Sequence, residues 1–283
     1  MKAAHLYQHL EHDFIAPGMS EQWFECMESL SDLICENFRR RSVGLVCDFA
    51  AHISQVFTAV FPSNEVMQAM VETGARDMLL FVHHPAIWDI RKAPAVFQQM
   101  DRELLHQFKE NRVSIYNLHL PLDNYGEYST SVTLAKALGV RPEKPFAPYR
   151  GAMAGVFGRT GFAVVQDLKE IFEEAVNHEV SLYLNGEGVI RDKRVAVAAG
   201  GGLIEEVVKE AAQNNVNVFA TGITINNDHT AEVHALAEEL EMNILGGTHY
   251  STEKFACIQM ADYFQKLGVP CEFIEGKPAM EDL

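Results

Sequence analysis

The chain has 283 residues, enough to bury a large core and to form one or two α/β domains. Its 48% hydrophobic and 22% charged residues describe an ordinary globular protein, and no window approaches the ~18 uninterrupted apolar residues of a membrane span. The formal net charge of −16, from 23 Lys+Arg against 39 Asp+Glu, argues against the broad basic face that nucleic acid requires. It leaves room for a small anionic substrate, because bound cations reverse a local field.

Taken in order, residues 1–42 carry Trp23, Phe24, Met27, Leu30, Leu33, Ile34 and Phe38 at i, i+3, i+4 spacing. This predicts a helix, separated from a shorter first helix by Pro17-Gly18 and closed by Arg39-Arg40-Arg41, where cations suit the helix dipole. The first residues lack a charged-then-apolar secretory pattern. The five cysteines (Cys26, Cys35, Cys47, Cys257 and Cys271) show no Cys-x-x-Cys spacing, so reduced thiols and a cytoplasmic location are expected. Strands are predicted at 43–49 and 55–61, then a helix over 63–73 with Ser63 as its N-cap.

The stretch that organises the rest is Asp77-Met78-Leu79-Leu80-Phe81-Val82-His83-His84-Pro85. Its continuous apolar run predicts a strand buried on both faces, which Pro85 must end. A helix over 94–110 and a strand over 113–117 follow, the strand leading into His119-Leu120-Pro121-Leu122-Asp123. A helix is expected at 130–138. The alternation predicts α/β architecture with a largely parallel or mixed sheet and helices on its faces. Residues 141–150 hold three prolines without periodicity and read as a linker between an N-terminal half, 1–140, and a C-terminal half, 151–283.

In the C-terminal half, strands are predicted at 151–158, 180–184, 194–199, 216–220, 243–245 and 271–274. Helices are predicted at 167–176, 203–213, 231–240 and 252–267. Gly200-Gly201-Gly202 between a strand and a helix has neither a Gly-x-Gly-x-x-Gly fingerprint nor a Walker lysine, and reads as a tight turn more than a phosphate cradle.

Three strand ends offer two metal donors each: His83 with His84, His119 with Asp123, and His249 with Glu253. Open α/β sheets bind ligands beyond such carboxyl ends. Any one of these histidines alone reads as a hydrogen-bonded core or surface residue, so the case rests on three pairs at three strand ends. Six donors exceed the about four that one zinc ion takes, and two metals sharing bridging groups use them all. Imidazole and carboxylate without thiolate suit zinc, iron, manganese or nickel. His83 and His84 can converge only if the strand has ended, and the His-x-x-x-Asp and His-x-x-x-Glu spacings need a turn or a first helical turn.

The order Val43-Gly44-Leu45-Val46, Val82-His83-His84-Pro85, Tyr116–Asp123, Ala199–Gly202, Thr221-Gly222 and Gly247–Glu253 resembles the Nif-three-like dinuclear metal-centre proteins. Some of that family are labelled GTP cyclohydrolase I type 2. The resemblance covers roughly residues 43 to 275. It implies two intertwined α/β halves, a homohexameric ring, and two divalent metals on His83, His84, His119, Asp123, His249 and Glu253. The chain departs from the family pattern in three places. Arg40-Arg41-Ser42 replaces Trp-Asp-Asn before Val43, the N-terminal stretch is longer, and Ile223 stands where an acidic residue is usual.

The resulting expectation is a dinuclear-metal-dependent hydrolase, like a GTP cyclohydrolase in acting on a nucleotide, with no nucleic-acid or membrane partner. Tyr250 and Asp228 are candidate acids or bases, and Arg150, Arg159 and Lys254 candidate phosphate contacts. The alternatives are a non-catalytic metal-binding adaptor or regulatory ring protein, and a protein for metal storage or delivery.

Overall fold

The computed structural model describes residues 1–92 and 96–283. Strands are numbered in chain order. The chain divides into two compact units, Met1–Asp89 with Ala95–Leu122 and Cys257–Gly276, and Ile90–Pro94 with Asp123–Ala256 and Lys277–Leu283. The boundaries therefore differ from a single cut at 141–150, and the chain returns to the first unit after completing most of the second.

In the first unit a five-stranded sheet is built from β1 (Gly44–Cys47), β2 (Gln55–Ala59), β3 (Met78–Val82), β6 (Val113–Asn117) and β13 (Cys271–Phe273). Its order is β1-β6-β3-β2-β13. All pairings are parallel except β1 with β6. All five residues of β3 and of β6 are buried, as their apolar runs require of strands covered on both faces. Phe38, Phe108, Leu80, Val82 and Ile115 belong to the core below this sheet. Ser63 accepts from the Val66 N–H at 3.2 Å, and so caps the helix Asn64–Glu72.

The second unit holds a mixed six-stranded sheet of β7 (Val140–Tyr149), β8 (Ala152–Thr160), β9 (Ser181–Tyr183), β10 (Arg194–Ala198), β11 (Val218–Thr221) and β12 (Asn243–Gly246). The order is β7-β8-β10-β11-β12-β9, with β10, β11 and β12 parallel. Two cores flank it, one around Phe172, Val197 and Leu245 and one around Phe146, Phe219 and Ile244. The α/β fold with two helix-flanked sheets is as expected.

Three expectations are corrected. Residues 141–150 are not a linker: nearly all of them lie in β7, paired antiparallel with β8 through a bulge between Pro142 and Lys144. As the edge strand of its sheet β7 needs N–H donors on one side only, so it tolerates Pro142, Pro145 and Pro148. The helix predicted after Pro17-Gly18 breaks into 3-10 turns at Trp23–Cys26 and Glu28–Leu30, with an α-helix only at Glu36–Arg41. Its apolar residues are buried as expected, Phe24 only partly, but the backbone is claimed by other partners: Phe24 N–H donates to Ser42 Oγ at 2.9 Å and Cys35 N–H to Val46 O at 2.8 Å. The helix expected over 94–110 starts late. Residues 93–95 lie outside the described residues, β5 (Val96–Gln98) pairs antiparallel with β4 (Ile87–Asp89), and the helix is Arg102–Glu110, capped by Asp101 accepting from Leu104 N–H at 2.9 Å.

Candidate metal centre

β3 ends at Val82, so the alternation that would send His83 and His84 to opposite faces stops there. Their backbones stay anchored to the end of β2, His83 N–H donating to Ala59 O at 3.2 Å and His84 N–H to Val60 O at 2.9 Å. β6 lies beside β3 in parallel, and Leu118 N–H still donates to Val82 O at 3.1 Å, which brings His119 to the same sheet end. All three histidines are buried. Their ring centroids lie 4.4 Å (His83–His84), 4.6 Å (His84–His119) and 5.1 Å (His83–His119) apart. One ring nitrogen from each falls within 4.8 Å of the others, so the trio could hold a metal ion.

The surroundings favour that use. His83 Nδ1 lies 3.0 Å from Leu118 O and His119 Nδ1 lies 2.6 Å from Glu21 Oε1. Imidazoles that bind metal through one nitrogen usually donate the other N–H to a carbonyl or carboxylate. Phe61 stacks on His84 at 4.8 Å, while Trp23 stands edge-on to His84 at 5.9 Å and to His119 at 5.0 Å. This aromatic wall keeps the imidazoles in a poorly hydrated setting. Burial by itself would push the Glu21 carboxyl up. The His119 imidazole and the Leu120 N–H, which donates to Glu21 Oε2 at 3.2 Å, outweigh burial and hold it below the ordinary glutamate range.

In the second unit the ends of the parallel strands again carry the donors. β12 leads into the helix His249–Lys266, which starts three residues before the predicted 252, so His249 and Glu253 are i and i+4 on one face. His249 Nε2 lies 3.2 Å from Glu253 Oε1. Thr248 and Ser251 cap this helix reciprocally: Thr248 N–H donates to Ser251 Oγ at 3.0 Å and Ser251 N–H to Thr248 Oγ1 at 3.1 Å. His249 N–H donates to Asp282 Oδ2 at 2.8 Å. Asp123 closes the short helix Leu120–Asp123, and its Oδ1 accepts from the Thr130 hydroxyl at 2.9 Å.

The triple glycine after β10 is a close approach, consistent with a turn and unlike a phosphate cradle. Gly200 has φ +66°, and a Cβ there would overlap Glu253 Oε1 and lie 3.3 Å from His249 Cδ2. Gly200 N–H donates to Thr252 Oγ1 at 3.0 Å, and the next helix opens with Glu205 and Glu206, which disfavour an anion at its N-terminus.

The other candidates are engaged elsewhere. Arg159 binds Glu143 Oε1 at 3.0 Å and Asp192 O at 2.9 Å, Lys254 donates to Val176 O at 3.3 Å, and Arg150 lies over the Tyr149 ring at the β7–β8 turn. Tyr250 is buried, Asp228 is exposed in a turn, and Ile223 is a buried apolar side chain. Glu21 and Asp282 were not among the residues singled out from sequence. Both act through contacts distant along the chain, for which no local pattern exists.

A model of the Duf34/NIF3 (NGG1p interacting factor 3) family matches residues 25–279. Similar curated proteins include a GTP cyclohydrolase 1 type 2 homolog of Borreliella burgdorferi, 27% identical over 212 residues that make up 75% of this chain and 79% of that one. The homolog of the same name from Archaeoglobus fulgidus is 27% identical over 233 residues, 82% of this chain and 88% of that one. Among solved structures, the protein ybgI, of unknown function, superposes with a TM-score of 0.75 at 22% identity, covering 99% of this chain and all of that chain (100%). With the family match spanning nearly the whole sequence and the same fold found in that structure, the chain belongs to the Duf34/NIF3 family.

Proposed function

We propose that His83, His84 and His119, together with Asp123, His249 and Glu253, hold two divalent metal ions, and that the protein is a metal-dependent hydrolase. The observation that carries this reading is the trio of buried imidazoles at the ends of β3 and β6, with Nδ1 of His83 and His119 already directed at oxygen acceptors. That arrangement leaves Nε2 of each as the donor nitrogen. When bound, such a pair of cations acts as a Lewis acid and brings the ionisation of a water towards neutral pH. The chain's own part is to fix the donors: the His83 and His84 backbones by β2, His249 and Glu253 by one capped helical turn, and Glu253 further by the Gly200 approach.

The similar proteins' name makes GTP the first substrate to assay. A cytoplasmic homohexamer is part of the same reading, and light scattering should give six times the 31.7 kDa chain mass. Among the described residues, no helix is long and apolar enough to cross a membrane.

The test is elemental analysis of protein purified without added metal or a histidine tag, on wild type and Asp123→Ala together. About two metals per chain in wild type, falling in the variant, is the expected result. Glu253→Ala should then abolish GTP turnover while the metal-free protein keeps its melting temperature. Absence of metal after incubation with zinc, manganese or iron would overturn the proposal. Loss of fold along with metal would turn it into a structural site.

A further inference from the structure

Glu21 has a place at this site that nothing in the local sequence announces. It lies 98 residues from His119 along the chain, outside the 25–279 span matched by the family model, yet its side chain is almost fully buried against that imidazole. Its backbone is held by an N–H bond to Arg41 O at 2.8 Å. Both carboxylate oxygens are engaged, Oε1 by His119 Nδ1 at 2.6 Å and Oε2 by Leu120 N–H at 3.2 Å.

We propose that Glu21 is a positioning residue that locks His119 in its Nδ1–H tautomer, so that Nε2 is the nitrogen offered to metal. The proposal rests on the metal-centre reading above. A carboxylate only accepts hydrogen bonds, so the imidazole nitrogen facing it must carry the proton. The neutral ring then has its lone pair on Nε2. His83 is set the same way, because Leu118 O is also an acceptor only. The two differ in charge: a carboxylate makes its imidazole a stronger donor than a carbonyl does, and adds a negative charge beside three rings that would face a dication.

The geometry also says why glutamine cannot stand in. Glu21→Gln presents one acceptor and one donor to two N–H groups. With its oxygen towards His119, its amide faces the Leu120 N–H, donor against donor. With the amide flipped, the NH2 group faces Nδ1 and favours the Nε2–H tautomer, which closes the metal-binding nitrogen.

Two readouts test this on the full-length chain. The first is 15N-histidine long-range NMR of the metal-free wild type, with the His119 signals identified by their loss in His119→Gln. The second is competition of wild type and Glu21→Gln with a chromophoric chelator for Zn2+, and their Co2+ absorption spectra. We expect an Nδ1–H tautomer for His119. We also expect Zn2+ to be held about 10- to 100-fold more weakly by the variant, with altered Co2+ bands. A role in stability alone would lower the melting temperature and leave affinity and Co2+ spectrum unchanged. That result, or an Nε2–H tautomer in wild type, overturns the inference and leaves the metal centre standing. A wild type that binds neither Zn2+ nor Co2+ overturns the metal reading, and this one with it. If Glu21→Gln does not fold, the wild-type tautomer decides alone.

Discussion

Gly200→Ala is the substitution that most directly tests how the fold holds its donors. Gly200 has φ +66°, and the added methyl would overlap Glu253 Oε1. Holding a non-glycine residue in the left-handed region costs about 1–2 kcal/mol. Displacing the Glu253 carboxylate from its rotamer costs about 0.5–1.5 kcal/mol more. The sum, about 1.5–3.5 kcal/mol, corresponds to a fall of roughly 3–14 °C in melting temperature for a folding unit of this size. Because the displaced atom is a proposed metal donor, zinc affinity should fall by about tenfold or more as well. Gly201→Ala is the internal control. Its φ is not positive, and among the described residues its Cβ would meet only the terminal methyl of Ile90 at 2.6 Å, which can rotate away. It should cost no more than about 1 kcal/mol and leave metal binding as it was. Calorimetry and chelator competition on both variants decide the matter. Equal, small effects at 200 and 201 would refute the argument that the loop is glycine-rich because Glu253 packs against it.

Two further outcomes follow from groups away from the centre. Burial lowers the pKa of His234, whose Nε2 lies 3.0 Å from Thr224 O. The unfolded chain therefore takes up a proton near the ordinary histidine pKa that the folded chain declines, and stability present above that pH is lost as pH falls through it. Melting of wild type should drop more between pH 7.5 and 5.5 than melting of His234→Gln, and parallel slopes would sink the assignment. Cys26 is exposed, whereas Cys47, Cys257 and Cys271 are buried, with burial pushing the Cys271 thiol up to about 12. Alkylation at pH 8 should modify Cys26 first and reach those three only on unfolding, as mass spectrometry of the native and denatured protein will show.

The fold was legible wherever burial left a one-dimensional trace. The unbroken apolar runs of β3 and β10 could only be central strands, and they are. The proline stretch 141–150 misled because proline marks both linkers and edge strands, and only the neighbouring β8 tells them apart. The Trp23–Phe38 stretch misled for a different reason. A spacing of three to four buries one face of an α-helix and equally well buries successive 3-10 turns, and the hydrogen bonds that choose between them come from Ser42 and Val46.

The same distinction runs through the candidate site. Each donor pair was visible because its two residues are neighbours in sequence, and a strand end or a helical turn is enough to aim both. What orients a donor is not local. His119 is steered by Glu21 and the His249 backbone by Asp282, at separations of 98 and 33 residues, and neither partner belongs to a recognisable motif. Gly200 lies between these cases. Its place in a glycine triplet was plain, but a turn and a close approach to Glu253 demand the same residue, and only the position of the carboxylate separates them. The motifs therefore name which atoms could bind metal, while the affinity and tautomer of those atoms are set by residues that sequence order hides. Variants at Glu21 and Gly200 will for that reason report more about how the proposed centre is held than further removal of its candidate ligands.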